Sequence, residues 1–258
     1  MAKQKSIVKF TGTIDGINFY YRKGVPVARK AGGGFNKETI KKSPKMERVR
    51  ENNSEFGLCS RTKKVFKDSL YPFLMYYKDP TLHGRMMKVF QQIKTCDTVS
   101  ERGKRTVGKG LKTDKGKQLL KDFSFTPKRD IETTLMGDII FDRESYKCQI
   151  SGFDIKQFKF HPNATHFELL FGIIRIDFDA LGSKTYMATP VIIGKGFNDN
   201  HIELVPEDTL ETGGMKFAFL GIRFYQEVSG NPDVLKAESA TGIKLLDVFF
   251  IVNFFILL

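Results

Sequence analysis

A basic, glycine-rich run at residues 103–110 is the segment of this sequence that comes nearest to a catalytic motif. Its glycine and lysine spacing matches a phosphate-binding P-loop, in which backbone N–H groups and a lysine bind nucleotide phosphates. Gly110, however, stands where that motif needs a Ser or Thr hydroxyl for the magnesium ion, and no apolar strand precedes the run. We therefore expect no nucleotide hydrolysis, but either a basic loop that contacts phosphate non-specifically or a plain solvated loop.

Two segments dense in Lys and Arg, residues 37–67 and 102–121, could bind a polyanion. Cationic side chains at this density replace the counterions of a nucleic acid backbone, which gives an affinity that is independent of base sequence and sensitive to salt. The nearby aromatic residues fall at core-like positions, so no base-stacking platform is indicated. The residues predicted to bind the polyanion are Arg61, Lys63, Lys64, Lys67, Arg102, Lys104, Arg105, Lys109 and Lys112.

The residues that most often carry catalysis or hold metals are scattered. No C-x-x-C, G-x-S-x-G or H-E-x-x-H pattern occurs, and the three cysteines are odd in number and widely spaced, which excludes a disulfide scaffold. Two possible ligands on one strand do not make a metal site. We therefore expect no catalytic residue, no metal site and no cofactor, and we interpret the protein as a non-enzyme. The isolated residues are His83, His161, His166, His201, Cys59, Cys96 and Cys148.

Charge is divided unevenly along the chain of 258 residues. Residues 1–129 hold 31 Lys or Arg against 11 Asp or Glu, a net charge of +20, whereas residues 130–258 hold 11 against 18, a net charge of −7. Such asymmetry favours a polyanion partner for the basic half, or subunits that stack basic face to acidic face. The plain alternative is a solvated surface that is rich in lysine.

The N-terminal residues have the pattern of a β-meander. Residues 7–10 and 17–21 are rich in β-formers and alternate apolar with polar positions, and Asp15-Gly16 between them is a strong hairpin signal. Pro26 lacks an N–H group, so we expect the strand at residues 25–29 to lie at a sheet edge. The three glycines at residues 32–34 predict a linker.

Helices are predicted next, and strands follow. Ser43-Pro44 is a typical helix start, and apolar spacing predicts one helix up to Pro72 and a second over residues 80–94. We expect a loop over residues 95–116 and a short helix over residues 115–121. From residue 130 onward, short apolar strands separated by turn residues predict an antiparallel sandwich or barrel rather than a βαβ fold.

The C-terminal residues 248–258 are apolar except for Asn253. A bilayer span needs about 20 such residues, so we expect a buried strand rather than a membrane segment. The N-terminus lacks the apolar stretch of a signal peptide, which predicts a cytoplasmic protein. An exposed strand of this composition would aggregate, so its aromatic side chains are predicted assembly contacts. They are Phe249, Phe250, Phe254 and Phe255.

Four stretches resemble an uncharacterised family of bacterial proteins. They are I-V-K-F-T-G-T-I-D-G-I-N-F-Y at residues 7–20, R-V-R-E-N-N-S-E-F-G at residues 48–57, P-N-A-T-H-F at residues 162–167 and L-G-I-R-F-Y-Q-E-V at residues 220–228. The resemblance extends over most of the chain. It implies no catalytic or ligand-binding residue, and the phenylalanine-rich end departs from the ordinary strand that the family pattern has there.

Together these observations predict an α+β protein with two parts. Residues 1–129 are expected to form a β-hairpin and a basic helical region, and residues 130–258 an antiparallel β-sandwich or jelly-roll-like domain with an apolar C-terminal strand. The leading functional hypothesis is a self-assembling structural subunit, similar to a coat or phage component, whose basic half faces nucleic acid or an acidic neighbour. The alternative is a protein that binds DNA or RNA on its own without sequence preference.

Overall fold

The computed structural model describes residues 2–5, 7–32 and 37–250. The chain forms two compact units, Met1–Glu51 and Asn52–Leu258. It is 28% helical and 33% strand with antiparallel sheets, which confirms the predicted α+β class. The division of the chain into the parts 1–129 and 130–258 stays a prediction. Of the predicted linker, Gly33 and Gly34 lie outside the described residues.

The first unit contains a four-stranded antiparallel sheet in the order β1-β4-β3-β2. Asp15 and Gly16 both have positive φ and join two strands that pair Ile14 with Ile17, so the predicted hairpin turn is confirmed. The prediction of a strand at residues 7–10 is wrong, because the chain leaves the sheet after β1 and returns to it only at Gly12. The strands are β1 (Ala2–Lys3), β2 (Gly12–Ile14), β3 (Ile17–Arg22) and β4 (Val25–Lys30).

The strand that contains Pro26 is central rather than at an edge, which corrects the prediction. β4 pairs with β3 on one side and with β1 on the other. β1 pairs only with Ala28 and Val27, and Pro26 contributes just its carbonyl, which accepts a hydrogen bond from the Gln4 N–H at 3.0 Å. The proline therefore occupies a central strand at a position where no N–H is needed.

One face of this first sheet is apolar. Residues that pair directly across antiparallel strands share a face, so the register places the side chains of Ile17 and Ile14, of Tyr21 and Pro26, and of Phe19 together. We call these five residues the apolar sheet face. Val27, on the opposite face, is the one buried apolar residue within the described part of the first unit. The first unit thus has almost no core of its own.

Helices dominate the chain between the two groups of strands. Ser43 precedes a 3₁₀ turn at Pro44–Met46 that leads directly into a long helix, as predicted from Ser43-Pro44. The predicted helices at residues 80–94 and 115–121 are also confirmed. The helices are α1 (Lys37–Lys42), α2 (Glu47–Ser69), α3 (Tyr71–Leu74), α4 (Leu82–Thr95), α5 (Val107–Gly110), α6 (Asp114–Lys121) and α7 (Glu132–Leu135).

The second unit is built on a six-stranded sheet in which two long strands, β7 (His166–Asp177) and β11 (Met215–Val228), pair at the centre. Each of these long strands pairs with two shorter strands along its outer side. β8 (Gly182–Met187) and β9 (Val191–Gly194) follow β7, whereas β12 (Asn231–Val234) and β13 (Thr241–Phe250) follow β11. A separate three-stranded sheet has the order β10-β6-β5, with β5 at Asp138–Phe141, β6 at Cys148–Ser151 and β10 at His201–Leu204.

Both faces of the six-stranded sheet are covered. Alternate residues of β7 and β11, such as Ile174 and Phe217, belong to a core that they share with α2, α4 and α6. The intervening residues, such as Phe171 and Leu220, belong to a second core that they share with the three-stranded sheet. The second unit therefore has three layers, namely helices, the large sheet and the small sheet.

The described end of the chain lies in β13, at the outer side of β11. Phe249 is buried and its ring lies 5.6 Å from that of Phe141, so Phe249 belongs to the core beneath the small sheet. Phe250 is 40% exposed. Phe254 and Phe255 lie outside the described residues. Among the described helices, none has the length and apolar character that a bilayer span requires.

The ring of Phe66 is the centre of the helix–sheet core. It lies 5.3 Å from the ring of Phe90 and 5.1 Å from that of Phe217, both in edge-to-face geometry. We expect Phe66→Ala to lower the free energy of unfolding by about 3–5 kcal/mol, because the cavity lies where helices and sheet meet. Urea unfolding measures it. Phe56→Ala, in the same helix but 56% exposed, is the matched control. Equal losses in the two variants would contradict this account of the core.

Candidate polyanion-binding surface

The basic segment that follows α4 is attached to the helices through the buried carboxylate of Glu55. Glu55 is on the inner side of α2, and its Oε1 accepts hydrogen bonds from the Gly103 N–H at 2.8 Å and from Arg105 Nε at 2.7 Å. Its Oε2 accepts from Arg105 Nη2 at 3.0 Å and from Lys94 of α4. One carboxylate therefore joins two helices and the loop at residues 101–106.

The hydrogen bonds to Glu55 keep its carboxylate charged. Burial alone would raise the pKa of this carboxyl, but the hydrogen bonds from Arg105, Lys94 and Gly103 outweigh burial and lower the pKa from 4.5 to about 2. The guanidinium of Arg105 is directed toward this carboxylate by two hydrogen bonds, and its side chain is 24% exposed. Arg105, which was predicted to bind a polyanion, instead holds the loop in place.

A second buried carboxylate, Asp97, shapes the start of the same loop. Its Oδ1 accepts from the N–H groups of Val99 and Ser100 at 3.1 and 2.9 Å, and its Oδ2 accepts from the Thr106 N–H at 3.0 Å. Burial raises the pKa of Asp97, but the backbone donors, Thr106 first among them, leave it below its usual value. Asp97 thus links the start of the loop to Thr106 at its end, through hydrogen bonds from backbone N–H groups.

The run that resembles a P-loop is helical and tightly packed. The Thr106 hydroxyl caps α5 by accepting from the Lys109 N–H at 3.2 Å. A Cβ atom at Gly108 would lie 2.6 Å from Phe178 Cβ, and one at Gly110 would lie 2.1 Å from the Ile93 carbonyl oxygen. Both glycines are buried: Gly110 lets α5 approach α4, and Gly108 lets α5 pack on Phe178, which follows β7. The predicted loop over residues 95–116 is therefore corrected at α5.

The predicted cations of α2 divide by their position around the helix. Arg61, Lys64 and Lys67 are exposed along one side. Lys63 is buried, and its Nζ lies 2.6 Å from His83 Nδ1 of α4. Burial lowers the pKa of the Lys63 amine, and the charge of Lys67 lowers it further. Lys63 therefore contributes to helix packing rather than to a charged surface.

The remaining cations lie at two places. Arg102 and Lys104 are exposed on the loop, and Arg102 Nη2 donates to Asn52 Oδ1 of α2 at 3.3 Å. Lys109 and Lys112 line an open pocket of about 260 Å³, and Asp177 and Asp179 line the same pocket. The acidic residues in this pocket offset the two lysines, so the pocket is a poor place for a polyanion.

Five of the nine predicted residues are thus exposed, three on α2 and two on the loop beside it. Asn52, which Arg102 contacts, and Arg61 are nine residues apart, so they are separated by about 13 Å along the helix axis and by about half a turn around it. We name the group the basic helical surface, and it consists of Arg61, Lys64, Lys67, Arg102 and Lys104.

Sequence reasoning missed Glu55 and Asp97, although one signal was present. Glu55 lies at helical spacing with Cys59, Thr62 and Phe66, all of which are buried on the inner side of α2. A carboxylate within such a stripe needs buried cations as partners. The density of Lys and Arg at residues 102–121 could therefore have been interpreted as partly structural.

The described residues contain no candidate metal cluster and no exposed cysteine. Within residues 2–5, 7–32 and 37–250, no group of three His, Cys, Asp or Glu side chains converges on a metal position. Cys59, Cys96 and Cys148 are buried free thiols, and burial raises the pKa of Cys148 to about 12.

Comparison of the chain with family models, curated proteins and solved structures gave no match.

We expect Glu55→Gln to lower the free energy of unfolding by about 3–5 kcal/mol at neutral pH, because the buried Lys94 and the partly buried Arg105 lose their counter-charge. Glu101→Gln is the matched control, since Glu101 forms an exposed ion pair with Lys104 in the same loop. The control should change the free energy of unfolding by less than about 1 kcal/mol. Urea titration of both variants measures the difference.

The pH dependence provides a second measurement on the same pair. The folded-state pKa of Glu55 is lowered, so its contribution to stability is complete above the unfolded pKa near 4.5 and is lost as pH falls toward about 2. The stability difference between the wild type and Glu55→Gln should therefore shrink across that range. A difference that stays constant from pH 7 to pH 2.5 would contradict the assigned ionisation.

Proposed function

We propose that this protein is a non-enzymatic structural subunit that assembles with copies of itself, in the manner of a coat or phage-like component. Its basic part would face nucleic acid or an acidic neighbour, in the cytoplasm or in the assembled particle. The observation that carries the proposal is the apolar sheet face of the first unit, where Ile14 is 50% and Tyr21 51% exposed.

An exposed apolar sheet face favours association with a partner over the monomeric state. A small sheet needs a helix or a second sheet over its apolar side to be stable in water. Contiguous exposed apolar surface on a small unit is typical of sites that bind a partner. Phe10 adds to this surface, since its ring lies 5.8 Å from that of Phe19 and it is 46% exposed.

The layers of the second unit also separate charge. Residues 52–129, which form the helical layer, hold 18 Lys or Arg and 7 Asp or Glu, whereas residues 130–258 have a net charge of −7. The helical layer and the small sheet cover opposite faces of the large sheet. The helical layer is therefore basic and the segment that forms both sheets is net acidic, which supports subunits that stack by charge.

Light scattering on purified full-length protein tests the proposal. We expect a mass above that of one chain that rises with concentration in the micromolar range, because exposed apolar surface is buried on association. Electron microscopy of the same sample should show particles or filaments. A single monomeric species at several hundred micromolar would overturn the proposal.

A second function, binding of DNA or RNA without sequence preference, is favoured by the basic helical surface. Arg61, Lys64 and Lys67 share one exposed side of α2, and Arg102 and Lys104 lie beyond its N-terminal part. Cations spaced along one surface can replace the counterions of several phosphates at once. This function is compatible with assembly, since a coat subunit binds both its neighbours and its cargo.

For this second function we expect that replacing Arg61, Lys64 and Lys67 by alanine weakens binding to any DNA sequence. The slope of log affinity against log salt should fall by about 2–3, because up to three phosphate contacts are lost. The matched control replaces three exposed lysines of the β-layers, Lys156, Lys195 and Lys236, and removes the same charge. Equal effects from both triple variants, or no binding at low salt, would contradict this function.

A further inference from the structure

The apolar sheet face combines exposed apolar side chains with a basic surround. Ile17 is 41% exposed, and its cross-strand partners are Ile14 and Lys30. Residues 2–32 hold seven Lys or Arg against Asp15 alone. A surface that buries this face must therefore be apolar in its middle and acidic around it.

The outer face of the small sheet in the second unit offers the acidic surround and a smaller apolar contact. Its strands alternate, so that Cys148, Ile150, Ile202 and Leu204 point into the core while their neighbours point outward. The register arranges the outward residues in two rows across the three strands. The rows are Ile140, Gln149 and Glu203, and Asp138, Ser151 and His201.

The outer face of the small sheet is largely polar and acidic, and its exposed apolar residues lie toward its edges. The central strand β6 presents Gln149 and Ser151, whereas Ile140, which is 55% exposed, is on the edge strand β5. Val205, just beyond the other edge strand β10, is 39% exposed. Residues 138–151 and 201–208 together hold six Asp or Glu against two cations, Arg143 and Lys147.

We propose that the apolar sheet face of one copy docks onto the outer face of the small sheet of a second copy. This inference rests on the proposed function of self-assembly and specifies its contact. Two sheets pack face to face at about 10 Å with their apolar side chains between them. Ile14, Ile17 and Tyr21 of one copy would cover Ile140 of the next.

Charge selects this pairing over the symmetric one. If two apolar sheet faces met, two strongly basic sheets would lie against each other, and like charges across an interface are costly. The head-to-tail contact instead opposes basic and acidic residues. Because each copy then keeps one free donor face and one free acceptor face, the contact continues into rings or filaments.

Cross-linking between two variants, each with one added surface cysteine, tests the contact. The native cysteines are buried, so Ile17→Cys and Ile140→Cys place one accessible thiol on each face. A short bismaleimide added to a mixture of the two full-length variants should give a cross-linked dimer, at least about tenfold more than either variant alone. Mixing Ile17→Cys with Val99→Cys is the matched control, since Val99 is an exposed apolar residue elsewhere on the second unit.

Three results would overturn this contact. A dimer formed by Ile17→Cys alone would indicate symmetric pairing of the first sheets. A chain that carries both Ile17→Cys and Ile140→Cys should not cross-link to itself at a concentration where the protein is monomeric. A cross-link within that one chain would indicate docking inside a single copy. Equal yields with Val99→Cys and Ile140→Cys would indicate contact by random collision.

A second pair of variants separates this inference from the function on which it rests. Ile17→Asp and Ile140→Asp should each weaken association by about tenfold or more, and Val99→Asp should leave it unchanged. Oligomers that persist at wild-type affinity in both variants would overturn the contact and leave self-assembly standing. A wild-type protein that is monomeric by light scattering would instead overturn the proposed function itself.

Discussion

The structure of the second unit depends on burying both faces of one pair of strands. β7 and β11 carry apolar side chains on both of their faces. Both faces of the sheet that they form must therefore be shielded from water. Helices α2, α4 and α6 cover one side through Phe66 and its neighbours, and the small sheet covers the other. The helical layer comes from a basic segment of the chain, and the small sheet comes from the half that is net acidic. Burial of both faces of β7 and β11 therefore places these two segments on opposite sides of the large sheet.

Buried carboxylates then decide which cations reach solvent. Glu55 binds Lys94 and Arg105, Glu168 binds Arg223, and the carboxylate of Asp247 is held between Lys121 and Arg143. A buried charge is tolerated only with a close partner, so these cations are structural. The charge available for binding is therefore smaller than the composition suggests, and it is concentrated on the exposed side of α2 and on the loop beside it.

Much of the fold could be predicted from local patterns. The Ser43-Pro44 helix start, the apolar spacing of α4 and the Asp15-Gly16 turn each act over a few residues, and each is where it was expected. Of the candidate binding residues, Arg61, Lys64 and Lys67 keep their predicted exposure. The interpretation of two glycines was wrong: Gly108 and Gly110 indicated a free loop, but they let α5 pack closely on Phe178 and on α4.

By itself, the sequence determined the class of the fold, the approximate positions of the three longest helices α2, α4 and α6, and the unequal division of charge. These properties depend on near neighbours in the chain, which a sequence displays directly. The tertiary structure alone decided that Pro26 lies in a central strand, that Lys63 and Arg105 turn inward, and that the apolar sheet face lacks cover within its unit. Those outcomes depend on residues tens of positions apart meeting in space, and such meetings are set by packing and by the pairing of buried charge.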